Sequence, residues 1–201
     1  MRALALFISG FFHPLFLPTY MAALAFWMKP QEAFYYNSSV QIYILLQVFV
    51  VSTVLPMAAL LLLIWWNKVS DIMVGARSER SLPYLINAFC LAALYFNFRQ
   101  LGLADFITGS VLGALISVMV AYVVNIKWKI SAHGIGMGGA VGMLMALSHE
   151  FTRPWMLPLA IVLVLAGLVG SSRLYLNAHT PAQIYAGYGV GLLSLYICLS
   201  I

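Results

Sequence analysis

The chain has 201 residues, 64% hydrophobic and 7% charged, with a formal net charge of +5 from ten basic and five acidic side chains. A soluble domain carries about 25% charged residues, so a water-soluble globule is excluded. Basic residues scattered over short loops likewise lack the continuous face that nucleic acid requires. Cys90 and Cys198 both lie inside apolar runs, with no disulfide framework and no metal-ligand spacing, and nothing in the chain calls for a cofactor.

Runs of roughly 20 apolar residues recur along the chain, the length a helix needs to cross a bilayer. They predict an all-α polytopic membrane bundle of six to seven transmembrane helices, a single integral domain over residues 1–201. The N-terminus lacks the small-residue cleavage site of a secretory signal. The first run, about residues 3–27, contains His13-Pro14 and Pro18. Two prolines four apart break or bend a helix, so a bent span or a re-entrant pair of half-helices is expected, with His13 a polar partner at the kink. Residues 29–39 read as a polar turn that opens on Lys29.

The second run, about 40–66, ends in Trp65-Trp66 followed by Lys68, an aromatic belt and a charge at the interface. Residues 68–83 are the most charged segment, with Lys68, Asp71, Arg77, Glu79 and Arg80. Further spans are predicted over about 83–98, 104–124, 133–149, 155–171 and 181–200. Lys127, Trp128 and Lys129 read as an interface anchor, and His149-Glu150 as a solvated turn. Small residues at helical spacing (Gly109 and Gly113; Gly134, Gly138, Gly142 and Ala146; Gly187 and Gly191) mark faces where membrane helices approach closely.

Counting crossings puts three loops on one face of the membrane: 68–83, 125–133 and 171–180. Thr180-Pro181-Ala182-Gln183 is a helix-start signal, with Thr as N-cap, Pro first in the helix and Gln closing a capping box. Ser131 caps the helix that begins at His133 in the same way. Both His133 and His179 therefore sit at positive helix ends, on one face with Arg77, Arg80 and Arg173. Two such ends and three arginines describe an anion site, most naturally for phosphate. Arginines spread the charge of a transferring phosphoryl group while one imidazole attacks and another protonates the leaving oxygen.

Ser172-Arg173, five residues, His179, three residues and Gln183 resembles the third signature of the type 2 phosphatidic acid phosphatase (PAP2) superfamily, where the last position is aspartate. Ser131-Ala132-His133 resembles the second signature, Pro-Ser-Gly-His, in two of four positions. The 77–83 segment lies where the first belongs, a Lys followed after six residues by Arg-Pro, although Met73 stands in the lysine position. The resemblance covers roughly residues 65–195, with 1–66 as N-terminal spans and 67–201 as the PAP2-like core.

It implies a phosphatase acting on a phospholipid phosphate or polyprenyl phosphate. His179 would be the nucleophile, oriented by Gln183, and His133 the acid; Arg173, Arg80, Arg77, Ser131 and Gly134 would hold the phosphate. No metal is implied. It further implies membrane lipids as partners, a second copy or another membrane protein as an assembly partner, and a bacterial plasma membrane as the location. The amide in place of the carboxylate keeps open a second reading, a non-catalytic relative that binds lipid phosphate or serves as a structural subunit. The charge count puts the motif face in the cytoplasm, while the resemblance favours the outer side.

Overall fold

The computed structural model describes residues 1–28 and 30–201; Lys29, read above as the start of a polar turn, lies outside the described residues. Among the described residues the regular structure is helical apart from one isolated bridge between Pro30 and Phe151. The helices are α1 (Arg2–Phe11), α2 (Leu17–Met28), α3 (Ser38–Phe49), α4 (Leu55–Trp65), α5 (Ser81–Gln100), α6 (Asp105–Asn125), α7 (Ala132–Ala146), α8 (Met156–Tyr175) and α9 (Pro181–Ser200). A π turn, Val50–Val54, joins α3 and α4 into one rod, so the described chain forms eight rods. Five segments are long and apolar enough to cross a membrane: Ser38–Trp65, Arg77–Gln100, Asp105–Asn125, Met156–Tyr175 and Pro181–Ser200.

The first apolar run holds no single helix long enough to cross a membrane. It is two short helices of 10 and 12 residues, parted where His13 and Pro14 interrupt the ladder. Broken backbone inside a helix bundle leaves carbonyls to be satisfied by neighbours. The Leu15 carbonyl accepts the hydroxyls of Ser52 at 3.4 Å and Thr53 at 2.7 Å, both on the π turn. The break and the π turn are thus two halves of one contact.

Three helices stop by one device. After α4, α5 and α8 the chain enters the left-handed region at Asn67 (φ 56°), Gly102 (φ 64°) and Asn177 (φ 51°). In each case the next residue's N–H returns to a carbonyl five residues back: Lys68 to Leu63, Leu103 to Phe98, Ala178 to Arg173. Asn and Gly tolerate this conformation, and the returning bonds satisfy the last carbonyls.

At the centre stands α7, with eleven of its fifteen residues buried, packed on α9, α8, α6 and α2. Its closest partner is α9, which runs alongside it in the same direction. A Cβ on Gly187 would lie 2.6 Å from the Ser131 carbonyl oxygen, and one on Gly191 would overlap the Ile135 carbonyl. The stripes of small residues therefore mark a seam where two backbones touch. Backbone cannot rotate aside, so Gly191→Ala must part the helices. It is expected to cost about 1–3 kcal/mol, which lowers Tm by roughly 2–4 °C for each kcal/mol in a chain of this length. Thermal unfolding in detergent checks this against Gly167→Ala, where a Cβ meets nothing within 4 Å and no loss is expected.

Candidate active site

Local signals build the site at one end of the bundle. Thr180 caps α9: Gln183 N–H donates to Thr180 Oγ1 at 3.4 Å, and Thr180 N–H donates to Gln183 Oε1 at 3.2 Å. Ser131 caps α7, its Oγ accepting Gly134 N–H at 3.2 Å. The two helix starts are tied together by Ser131 N–H donating to the Gln183 carbonyl at 3.2 Å. The reversal at Asn177 then sets His179 just ahead of α9, beside Arg173 in the last turn of α8.

The polar side chains gathered here are buried: Arg173 is 5% exposed, His133 6%, Arg80 7% and His179 8%. Among the described residues, the ion pair found is the exposed Arg99–Asp105 contact of 3.8 Å, at the other end. No carboxylate answers the arginines. Arg80 Nε donates to the Val74 carbonyl at 2.9 Å and Nη1 to the Ile130 carbonyl at 3.0 Å. Val74 is held at φ 46°, a costly conformation for a β-branched residue, and its carbonyl is thereby turned onto Arg80. Arg173 Nε is buried without a hydrogen-bond partner in the protein.

His179 Nδ1 lies 3.0 Å from Gln183 Oε1. That oxygen also takes Thr180 N–H, so it is the amide's acceptor that faces the ring, and Nδ1 must be the donor. The neutral imidazole then carries its proton on Nδ1, and Nε2 keeps a lone pair. Burial, then the charge of Arg80, pushes the His179 pKa down from the ordinary 6.5 to about 3, against a smaller upward pull from the Gln183 hydrogen bond. The ring is therefore neutral at physiological pH. The unfolded chain binds this proton first as pH falls, so stability present above the ordinary pKa of 6.5 is lost towards about 3. Tm in detergent is expected to fall on acidification through that window, with a shallower slope in His179→Gln. Equal slopes for the two proteins would contradict it.

His133 Nε2 donates to the Ser9 carbonyl at 2.9 Å, so its second nitrogen, Nδ1, remains for chemistry. His133, His179, Arg80 and Arg173 share the walls of a cavity of about 240 Å³. The cavity continues past Leu17, Met21, Ile44 and Leu91 to Phe26, Leu94, Phe106 and Met143 deep in the bundle. One end is cationic and the rest apolar.

The three other residues read above as phosphate ligands, Arg77, Gly134 and Ser131, have other work, and none of them lines the cavity. Arg77 is exposed and lies outside its walls; its Nη1 donates to the carbonyls of Asn125 (2.9 Å) and Ile126, capping α6, while Asn125 Nδ2 returns a bond to the Arg77 carbonyl at 3.0 Å. A cation at a helix C-terminus is well placed, and that explains its position. Gly134 spends its N–H on Ser131 and packs against α9, where a Cβ would lie 2.8 Å from the Ile184 carbonyl. Ser131 is fully buried as the cap. Glu79, a possible partner for the loop arginines, instead accepts from Ser70 N–H at 2.9 Å and Oγ at 2.8 Å.

Lys129, read as an interface anchor, lies near enough to the arginines to feel them. Burial, then Arg80 and Arg173, lowers its pKa. Its place four residues before His133 was the available signal. His13 was read as a kink partner, and it lines the cavity beside His133.

The sequence model of one family, described as the PAP2 superfamily, matches residues 127–201. Residues 127–201 are a PAP2 superfamily domain. No curated protein and no solved structure matches the chain. The PAP2 domain contains α7, α8 and α9, and with them His133, Arg173, His179 and Gln183. Arg80 comes to it from the start of α5, outside the matched residues.

Proposed function

We propose that this chain is a membrane phosphatase that hydrolyses a lipid phosphate or lipid pyrophosphate through a phosphohistidine on His179. The observation that carries the reading is the state of that ring: Nδ1–H is committed to Gln183 Oε1 at 3.0 Å, which leaves Nε2 as a lone pair at the cationic end of an apolar cavity. The phosphate lies between Arg80 and Arg173, which neutralise its non-bridging oxygens. The lipid chain follows the apolar wall inward. The bilayer proposed is a bacterial plasma membrane, and the partner is its own lipid.

In the first step the Nε2 pair of His179 forms the N–P bond as the P–O bond to the lipid alcohol breaks. The released electron pair takes a proton from Nδ1 of His133, protonated while the anionic substrate is bound. In the second step His133 Nδ1 removes a proton from water, the oxygen attacks phosphorus, and the N–P bond returns its electrons to His179. Free phosphate and the unchanged enzyme result. Gln183 holds the attacking tautomer throughout.

A second reading is favoured by the shared acceptor. Gln183 Oε1 already serves the α9 cap through Thr180 N–H, and an amide brings no charge to steady a phosphohistidine. On that reading the protein binds lipid phosphate without hydrolysing it. Phosphate release by the purified chain from phosphatidic acid, phosphatidylglycerophosphate and a polyprenyl pyrophosphate separates the two. Turnover that disappears in His179→Ala supports the phosphatase. An inert wild type that gains turnover as Gln183→Asp supports the binding protein. Inertness of both overturns the catalytic reading for these esters.

A further inference from the structure

We propose that His13 is a third histidine of the active site and that its Nε2–H holds the leaving oxygen of the phosphate ester. The proposal rests on the phosphatase reading and extends it to a residue outside the matched PAP2 domain. His13 sits in the break between α1 and α2, with its ring 5.7 Å from that of His133 and turned edge-on at 81°. It lines the same cavity as His133, Arg173 and His179.

The break is clamped on both sides of the residue. Ser9, four positions before, gives its carbonyl to His133 Nε2 at 2.9 Å; Leu15, two positions after, gives its carbonyl to Ser52 and Thr53. His13 Nδ1 accepts the Leu15 N–H at 3.4 Å, so the neutral ring carries its hydrogen on Nε2. Among the described residues Nε2 has no partner in the protein, although His13 is only half-buried.

Its position along the cavity selects the oxygen. The arginines occupy the polar end, whereas Leu17, Pro18 and Met21, next along the chain from His13, form apolar wall. His13 and His133 thus stand where the polar end gives way to the apolar part, and the bridging oxygen of a lipid phosphate lies at that change. As the P–O bond breaks and its electron pair moves to this oxygen, His133 Nδ1 delivers the proton. His13 keeps its own and donates a hydrogen bond, stabilising the charge that develops before the proton arrives. A neutral imidazole suits that task because it donates without adding a further cation beside two arginines.

The test compares two esters with the same phosphate and an equal alkyl chain: an alkyl phosphate, whose alkoxide leaves poorly, and an alkylated nitrophenyl phosphate, whose phenolate leaves without help. In the purified full chain His13→Leu is expected to lower kcat on the alkyl phosphate by about 100-fold, the effect of one lost oxyanion donor. The nitrophenyl ester is expected to lose less than about threefold, because its leaving oxygen needs no donor. His13→Gln, which carries an amide N–H to nearly the same point, is expected to recover most of the difference. Equal losses on both esters in both variants, or no loss on either, overturn the assignment of His13 and leave the phosphatase reading standing. A wild type inert on both esters overturns that reading and this proposal with it.

Discussion

On the phosphatase reading, phosphate release is expected to fall by about 10⁴-fold or more in His179→Ala, while the protein keeps its fold. The size follows from the role: without the nucleophile there is no covalent intermediate, and what survives is binding and charge stabilisation alone. Folding survives because the α9 cap does not use the imidazole. Thr180 and Gln183 still exchange their two hydrogen bonds, and Ser131 still donates to the Gln183 carbonyl. The measurement pairs phosphate release with Tm in detergent and with trapping of an acid-labile phosphorylated protein from radiolabelled substrate. A variant that retains more than about a hundredth of wild-type turnover would remove His179 from the covalent step, since loss of a nucleophile costs far more than that.

On the same reading, Gln183→Asp is expected to raise turnover, and to raise it most near neutral pH. A carboxylate facing Nδ1 in place of the Gln183 amide oxygen, which lies 3.0 Å away, favours the positive ring that would exist while phosphorus is bound to Nε2. Removing such a charge from a serine protease triad costs about 10⁴ in rate, which bounds the possible gain; about 10-fold or more is expected here. The same charge lifts the His179 pKa from about 3 towards 6.5, so the acid limb of the pH–rate profile moves upward. Asp at the third position of a helix also suits the positive end of α9. Its shorter side chain reaches Thr180 N–H less well, so Tm need not rise with activity. Unchanged turnover with an unchanged acid limb would mean that the residue acts on α9 alone.

Much of the architecture was legible because the bilayer imposes it. Apolar run length located the spans, and Asn67, Gly102 and Asn177 stop helices for reasons that residue type announces. His133, Arg173 and His179 could be brought together by counting crossings, since each lies beside a helix end. What could not be read was set by side-chain partners across long separations. Arg77 and Arg80 are alike in sequence, and only the α6 carbonyls that Arg77 meets distinguish a cap from a cavity wall. The place of His13 depends on how α1 and α2 fold back against α7, and no local periodicity encodes that. Gly134 carried two signals, motif and packing; its neighbours on α9 show that packing governs it.

The shortness of α7 has a consequence for how the protein tolerates its lipid. Fifteen residues rise about 22 Å, well under the roughly 30 Å of a hydrocarbon core. Facing lipid, such a helix would thin the bilayer or tilt against it. Walled by α2, α6, α8 and α9, it answers to its neighbours instead. A change of bilayer thickness is therefore absorbed by the longer outer helices, while the glycine seam with α9 keeps the two histidine-bearing ends in register.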